Sequence, residues 1–154
     1  MRNGLSAGPL PAALNLPYAA DIERACEQAP TFSPIVAYAI KINETGYDDP
    51  PTIVSDDGGH GLFQLTSSFP SDWQEPYSNA YYACQHFLIP AETYWSGLGY
   101  QGDDLVRCIA AEFNAGRGGA MRGHDAGDVD EFTTNHYADR ALTNYTALLN
   151  GQRP

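Results

Sequence analysis

Glu44 is the residue of this chain best placed to do chemistry. It closes an apolar run, Ile35-Val36-Ala37-Tyr38-Ala39-Ile40-Lys41-Ile42-Asn43-Glu44. Val36, Ile40 and Glu44 are spaced i, i+4, i+8 and therefore share one helical face. The two apolar members turn that face toward a core, which puts the carboxyl at the core-side rim of the helix end. Desolvation at such a rim raises a carboxyl pKa. A carboxyl that stays protonated near neutral pH can serve as a general acid. Taken alone, a glutamate at a helix end is an ordinary solvated residue, so the residues that follow it decide the matter.

A glycine-rich loop comes next: Ser55-Asp56-Asp57-Gly58-Gly59-His60-Gly61-Leu62-Phe63-Gln64. Its glycines let backbone come close to another group. Phe63 adds a ring and Gln64 an amide. A second amide, Asn114, stands at a helix end in Ala111-Glu112-Phe113-Asn114-Ala115-Gly116. A carboxyl, amides, aromatics and exposed backbone are the parts a polysaccharide cleft needs: a proton donor for the glycosidic oxygen, with hydrogen bonds to N-acetyl and hydroxyl groups.

Other chemistries find less in the chain. His60, His86, His124 and His136 are scattered, with no His-x-x-x-His pair. Asp125, Asp128 and Asp130 resemble a calcium loop only faintly, because the full oxygen-ligand spacing is missing. No metal and no cofactor is expected. There is no Gly-x-Ser-x-Gly elbow, no phosphate-binding loop, and Cys84 and Cys108 fall inside expected helices.

The bulk properties narrow the partners. A chain of 154 residues, 43% hydrophobic and 18% charged, suits one globular domain with a sizeable core. Its formal charge of −11 argues against nucleic acid, which needs clustered Lys and Arg, and against attraction to an anionic membrane. The same charge would give no electrostatic steering toward an anionic cell wall, so a wall-acting enzyme would have to bind through its cleft. No segment approaches the ~20 apolar residues of a membrane span, so no membrane insertion is expected. Three cysteines, Cys26, Cys84 and Cys108, form neither a disulfide framework nor a zinc motif. Buried free thiols are expected, with Cys84–Cys108 as the pairing to consider in an exported protein.

The elements that must position these residues read as mostly helical. Residues 1–17, broken by Gly4, Gly8, Pro9, Pro11 and Pro17, form an irregular arm on a domain spanning residues 18–154. Tyr18 to Gln28 has helical patterning. Ser33 as N-cap and Pro34 at the first helical position open the Glu44 helix, which Gly46 and Pro50-Pro51 end. A small β-hairpin is expected in the long loop 47–64, around Ile53-Val54 and the Asp57-Gly58 turn. A long aromatic helix runs from Asn79 to Trp95 with a kink at Pro90. A helix capped by Asp103 or Asp104 is stopped by Gly116, and residues 116–130 read as a loop. The last helix runs from Asn135 to Leu149. The expected fold class is mainly α, with a small β element beside the site.

In this order the blocks resemble the soluble lytic transglycosylase and goose-type lysozyme superfamily, glycoside hydrolase family 23. Its catalytic pattern is Glu-Ser-x-Phe-Asn-Pro followed by Ser-x-x-Gly-Ala-x-Gly-Leu-Met-Gln. This chain reads Glu44-Thr45-Gly46-Tyr47-Asp48-Asp49-Pro50, then Ser55 to Gln64. The family's Ala-Tyr-Asn-Ala-Gly stands as Glu112-Phe113-Asn114-Ala115-Gly116. Its Tyr-Val-x-x-Val-x-x-Tyr helix stands as Tyr137-Ala138-Asp139-Arg140-Ala141-Leu142-Thr143-Asn144-Tyr145. Thr45, Phe63 and Phe113 depart from the pattern, and the Glu44-to-Ser55 stretch is longer than usual.

The resemblance implies an α+β lysozyme-like fold and cleavage of peptidoglycan strands at the β-1,4 bond between N-acetylmuramic acid and N-acetylglucosamine. Glu44 would be the acid and then the base that closes a 1,6-anhydro ring. Tyr137 would orient it. Ser55, Phe63, Gln64 and Asn114 would bind the sugars. In the inverting, goose-type alternative a second carboxylate activates water, and Asp56 and Asp57 are the candidates. A non-catalytic wall-binding or virion module is the alternative outside enzymology. The N-terminus is a poor signal peptide. With the resemblance, that makes a monomeric bacteriophage endolysin the expected setting, made in the host cytoplasm and reaching the wall after membrane permeabilisation. Secreted and virion-associated placements are the alternatives.

Overall fold

The structure is a computed structural model and describes residues 3–154; Met1 and Arg2 of the expected arm lie outside the described residues. It is mainly helical. In chain order the helices are α1 (Ala19–Cys26), α2 (Pro34–Thr45), α3 (Pro76–Ala83), α4 (Ile89–Gly97), α5 (Gly102–Ala126) and α6 (Tyr137–Leu149). A π-helical turn, Cys84–Leu88, joins α3 to α4. Helix α2 is the central element. It packs on α6 and α1, while α5 packs on α6 and α4.

The sequence of α2 explains its place. Ser33 caps it, its hydroxyl accepting the Val36 N–H at 3.3 Å, and Pro34 occupies the first turn, where its missing N–H costs nothing. Every residue from Val36 to Lys41 is fully buried, and all of them but Lys41 are hydrophobic, so α2 is buried all round until its last turn. A helix of that kind belongs in the middle of a domain. Only at Ile42, Asn43 and Glu44 does it emerge.

The arm is irregular apart from a 3-10 turn at Ala12–Leu14, and it is tied down. Leu5, Leu10 and Leu16 are buried in the core. The Ser6 N–H donates to the Tyr145 hydroxyl at 3.2 Å, and the Gly102 N–H donates to the Asn3 carbonyl at 2.9 Å.

Three expectations change. The hairpin is absent; Val54–His60 and His60–Leu65 are isolated antiparallel bridges. The Gly59 N–H donating to the Ser55 hydroxyl oxygen, and positive φ at Gly58 and Gly61, curl the segment before a ladder can extend. The Asn79–Trp95 helix starts earlier, at Pro76, and its irregularity is the π turn directly ahead of Pro90 rather than a simple proline kink. Helical structure continues past Gly116, which breaks the helix direction at φ 72°, ψ 166°, so residues 117–126 are not loop. Gly119 and Gly123 explain the error. Both are buried, and a Cβ on Gly123 would meet the Asp128 carbonyl oxygen at 2.7 Å. Glycine there serves close packing, not chain reversal. The cysteines are as expected: all three are free and buried, with the Cys26 and Cys84 thiols 3.9 Å apart.

Candidate active site

Glu44 opens into a cleft of about 460 Å³ together with Ser55, Asp57, Gln64, Leu65, Thr66, Ser67, Phe87, Phe113, Asn114 and Thr134. Four separate chain regions thus converge on the end of α2: the glycine-rich loop with the residues just after it, the π turn, the part of α5 just before the Gly116 break, and the approach to α6 at Thr134.

The carboxyl is held from behind by Tyr137, whose hydroxyl donates to Glu44 Oε1 at 2.5 Å. Tyr137 is the first residue of α6 and is buried. Its backbone is locked in turn. Asn43 Nδ2 donates to the Tyr137 carbonyl at 3.0 Å, and Asn144 Nδ2 donates to Asn43 Oδ1 at 3.0 Å and to the Ala39 carbonyl at 3.2 Å. This amide chain stitches α2 to α6 beside the carboxyl.

Burial pushes the Glu44 pKa up from 4.5 to about 7, and the negative charge of Asp57 pushes the same way. The Tyr137 hydrogen bond and Arg140 oppose the rise without cancelling it. The group is therefore about half protonated at neutral pH, the state a general acid needs. Tyr137 is itself pushed well above the ordinary tyrosine range, first by burial and then by Glu44, so it remains a neutral donor.

Asp57 has the opposite environment. It is exposed, and hydrogen bonds from the Ser55 hydroxyl and the Gly59 N–H hold it below the usual carboxylate range. Asp56, its neighbour and equal candidate by sequence, is exposed and does not line the cleft.

The two amides present different ends to the cleft. Asn114 Oδ1 accepts the Thr134 N–H at 2.8 Å, which leaves its NH2 group facing outward as a donor. Gln64 Nε2 donates to the Gly61 carbonyl at 2.9 Å, which leaves Oε1 as an acceptor. Gln64 itself sits at φ 47°, a left-handed conformation unusual for a side-chain-bearing residue. Gly59 and Gly61 are required around it. A Cβ on Gly59 would lie 2.6 Å from Gln64 Oε1, and one on Gly61 2.3 Å from Asn79 Nδ2.

Phe63 is the clear correction among the expected binding residues. Its side chain is fully buried and its N–H donates to Asn79 Oδ1 at 2.9 Å, so neither ring nor N–H faces the cleft. The alternation of the loop sends Phe63 inward to meet Phe113, with ring centroids 6.4 Å apart. Phe87 takes the exposed aromatic place, edge-on to Phe113 at 6.0 Å. It lies on the π turn, whose wider radius no side-chain periodicity announces. Thr66, Ser67 and Thr134 were also missed, being loop residues without a motif.

Asp128 and Asp130, two of the residues with a faint calcium-loop look, have structural partners. Asp128 and Asp139 both bond Arg107 at 2.8 Å. Asp130 is buried and accepts the Ala138 and Asp139 N–H groups at 2.8 and 3.1 Å, anchoring the first turn of α6. Asp130, His136 and Asp139 bring ligand atoms within 4.8 Å of one another, but the Asp130 oxygens are already engaged by the helix start.

No family model, no curated protein and no solved structure matches this chain. The site must speak through its own geometry.

Proposed function

We propose that the chain is a peptidoglycan-cleaving enzyme that cuts the β-1,4 bond between N-acetylmuramic acid and N-acetylglucosamine. The observation that carries this reading is the part-buried Glu44 carboxyl, hydrogen-bonded by Tyr137 and open to a polar cleft. Glu44 donates its proton to the glycosidic oxygen as the bond breaks. Asn114 offers a donor and Gln64 an acceptor, a pair suited to the carbonyl and N–H of an acetamido group. Phe87 and Phe113 supply an apolar wall. The family resemblance of the ordered blocks supplies the substrate.

In the favoured course Glu44, now a carboxylate, takes the proton of the muramoyl 6-hydroxyl. That oxygen attacks the anomeric carbon, and a 1,6-anhydro ring closes with no water consumed. The second reading is hydrolysis, and the observation in its favour is Asp57: an ionised carboxylate lining the same cleft as the protonated Glu44. In that course Asp57 activates water and Asp56 has no role. Mass spectrometry of purified peptidoglycan digested by the protein separates the two. Anhydro-muramic ends support the first course. Reducing ends alone support the second, and release of no fragments at all speaks for a non-catalytic wall-binding module.

A further inference from the structure

Lys41 is the most buried charge among the described residues and plays no part in the chemistry above. It is 0% exposed, on a helix whose other inner residues are apolar. Its ammonium donates to the Gly46 carbonyl at 2.6 Å and to the Tyr47 carbonyl at 2.9 Å. Those carbonyls lie just past the end of α2. The rings of Tyr18 and Tyr38 flank the ammonium at 5.4 and 5.6 Å. Burial lowers its pKa to about 8, and Asp49 and Asp48 act in the other direction. Tyr47 and Arg153 complete the polar surroundings, with the Arg153 guanidinium over the Tyr47 ring at 4.9 Å.

A buried cation is expensive, and an aliphatic residue would fill this volume more cheaply. What the lysine supplies is a bridge across the turn that follows the carboxyl. Gly46 leaves the helix at φ 64°, ψ −150°, with only its N–H tied back, to Ile42 at 2.9 Å. Thr45 is fixed separately, its hydroxyl donating to the Leu62 carbonyl at 2.9 Å. Glu44 thus sits on a helix end pinned to the glycine-rich loop by Thr45 and closed on its far side by Lys41.

We propose that Lys41 is a positioning residue for Glu44: its buried head group locks the Gly46–Tyr47 turn and thereby fixes the last turn of α2, which aims the carboxyl and keeps water away from it. The inference rests on Glu44 being the acid of the cleft. The aliphatic stem spans the core, and the head group satisfies carbonyls at the helix C-terminus, where positive charge is favoured. Without it, two part-buried carbonyls lose their charged donor and the turn is free to reorganise.

Lys41→Met tests this, with the Glu44 carboxyl titrated by NMR in the wild type and the variant. Loss of the lock lets water reach the carboxyl, so its pKa falls by at least half a unit toward 4.5. A direct charge effect has the opposite sign, because removing a nearby cation raises a carboxyl pKa. A rise, or no change, in folded protein overturns the proposal. With wall fragments as substrate, kcat drops about tenfold or more while KM stays within about twofold. Adding Lys41→Met to Tyr137→Phe costs less than the product of the single effects, because both act through one carboxyl. Should the methionine variant fail to fold, Lys41→Gln, whose shorter stem and loss of charge also remove the bridge to the two carbonyls, is judged by the same three readings. If Glu44→Gln proves as active as the wild type, the site reading itself has failed. If Glu44→Gln is inactive and the Lys41 variants match the wild type in titration and kinetics, only the present inference has failed.

Discussion

Two carboxyls share the cleft and are treated in opposite ways. Glu44 stands at the end of a buried helix, and burial drives its pKa up to about 7. Asp57 stands on an exposed loop, and the Ser55 hydroxyl and Gly59 N–H drive its pKa down. One is part-buried and about half protonated at neutral pH; the other is solvated and ionised. Carboxyls whose environments push them apart mark an acid and its anionic counterpart. The contrast also teaches where each property comes from. The acid is made by the core, through α2 and α6. The anion is made by a local turn that needs no core at all.

The largest effect expected from this contrast is in pH. If Glu44 must carry its proton, the rate falls about tenfold for each pH unit above about 7, and a pH–rate profile on purified walls measures it. An alkaline limb beginning near 4.5 would break the contrast. Next is Tyr137→Phe, which removes the 2.5 Å bond while keeping the ring. It lowers kcat roughly 10- to 100-fold, in the range of positioned acid–base groups, and it raises the Glu44 pKa further, because that bond favours the ionised form.

Asp57→Asn sharpens the contrast. With Glu44 acting alone as acid and base, the loss in kcat is about 3- to 10-fold, from the anion's help to positive charge at the sugar ring. A loss beyond about a thousandfold would transfer the base role to Asp57 and the reaction to hydrolysis. In either course the Glu44 pKa falls in this variant, since Asp57 holds it up. Asp56→Asn leaves kinetics within about twofold, as expected of a surface change.

The smallest effect is on stability. Glu44 binds a proton more tightly in the folded chain than at its ordinary value of 4.5. The folded state is therefore most favoured by this group below pH 4.5, and the advantage is lost as pH rises through about 7. Glu44→Gln removes that loss, so at pH 8 the variant is more stable than the wild type by about 1–3 kcal/mol, read from denaturant unfolding. No such gain appears at pH 4.

Much of this site was legible before any coordinates. Ser33, Pro34 and the apolar run define α2 because capping and burial are both local signals. The i, i+4, i+8 spacing then gives the rim position of Glu44, and burial of Val36 and Ile40 agrees. Mainly helical character followed from the same periodicities. What stayed hidden depends on tertiary partners. Asp56 and Asp57 are equivalent in sequence and differ only because Ser55 and Gly59 capture one of them. Phe87 rather than Phe63 lines the cleft, because the inside of a glycine-rich loop and the phase of a π turn have no pattern. Gly119 and Gly123 read as loop because a glycine that admits a neighbour looks the same as one that reverses the chain. Lys41 sits in an apolar run, and nothing local predicts that its head group closes a turn five and six residues ahead.

The most direct test is digestion of purified peptidoglycan at pH 6 by wild type and Glu44→Gln, with released fragments counted by mass spectrometry. Gln keeps the shape and the acceptor for Tyr137 but has no proton to give. The account predicts fragments from the wild type and a loss of at least about a thousandfold in the variant, with its fold intact. Equal release by both proteins would contradict it.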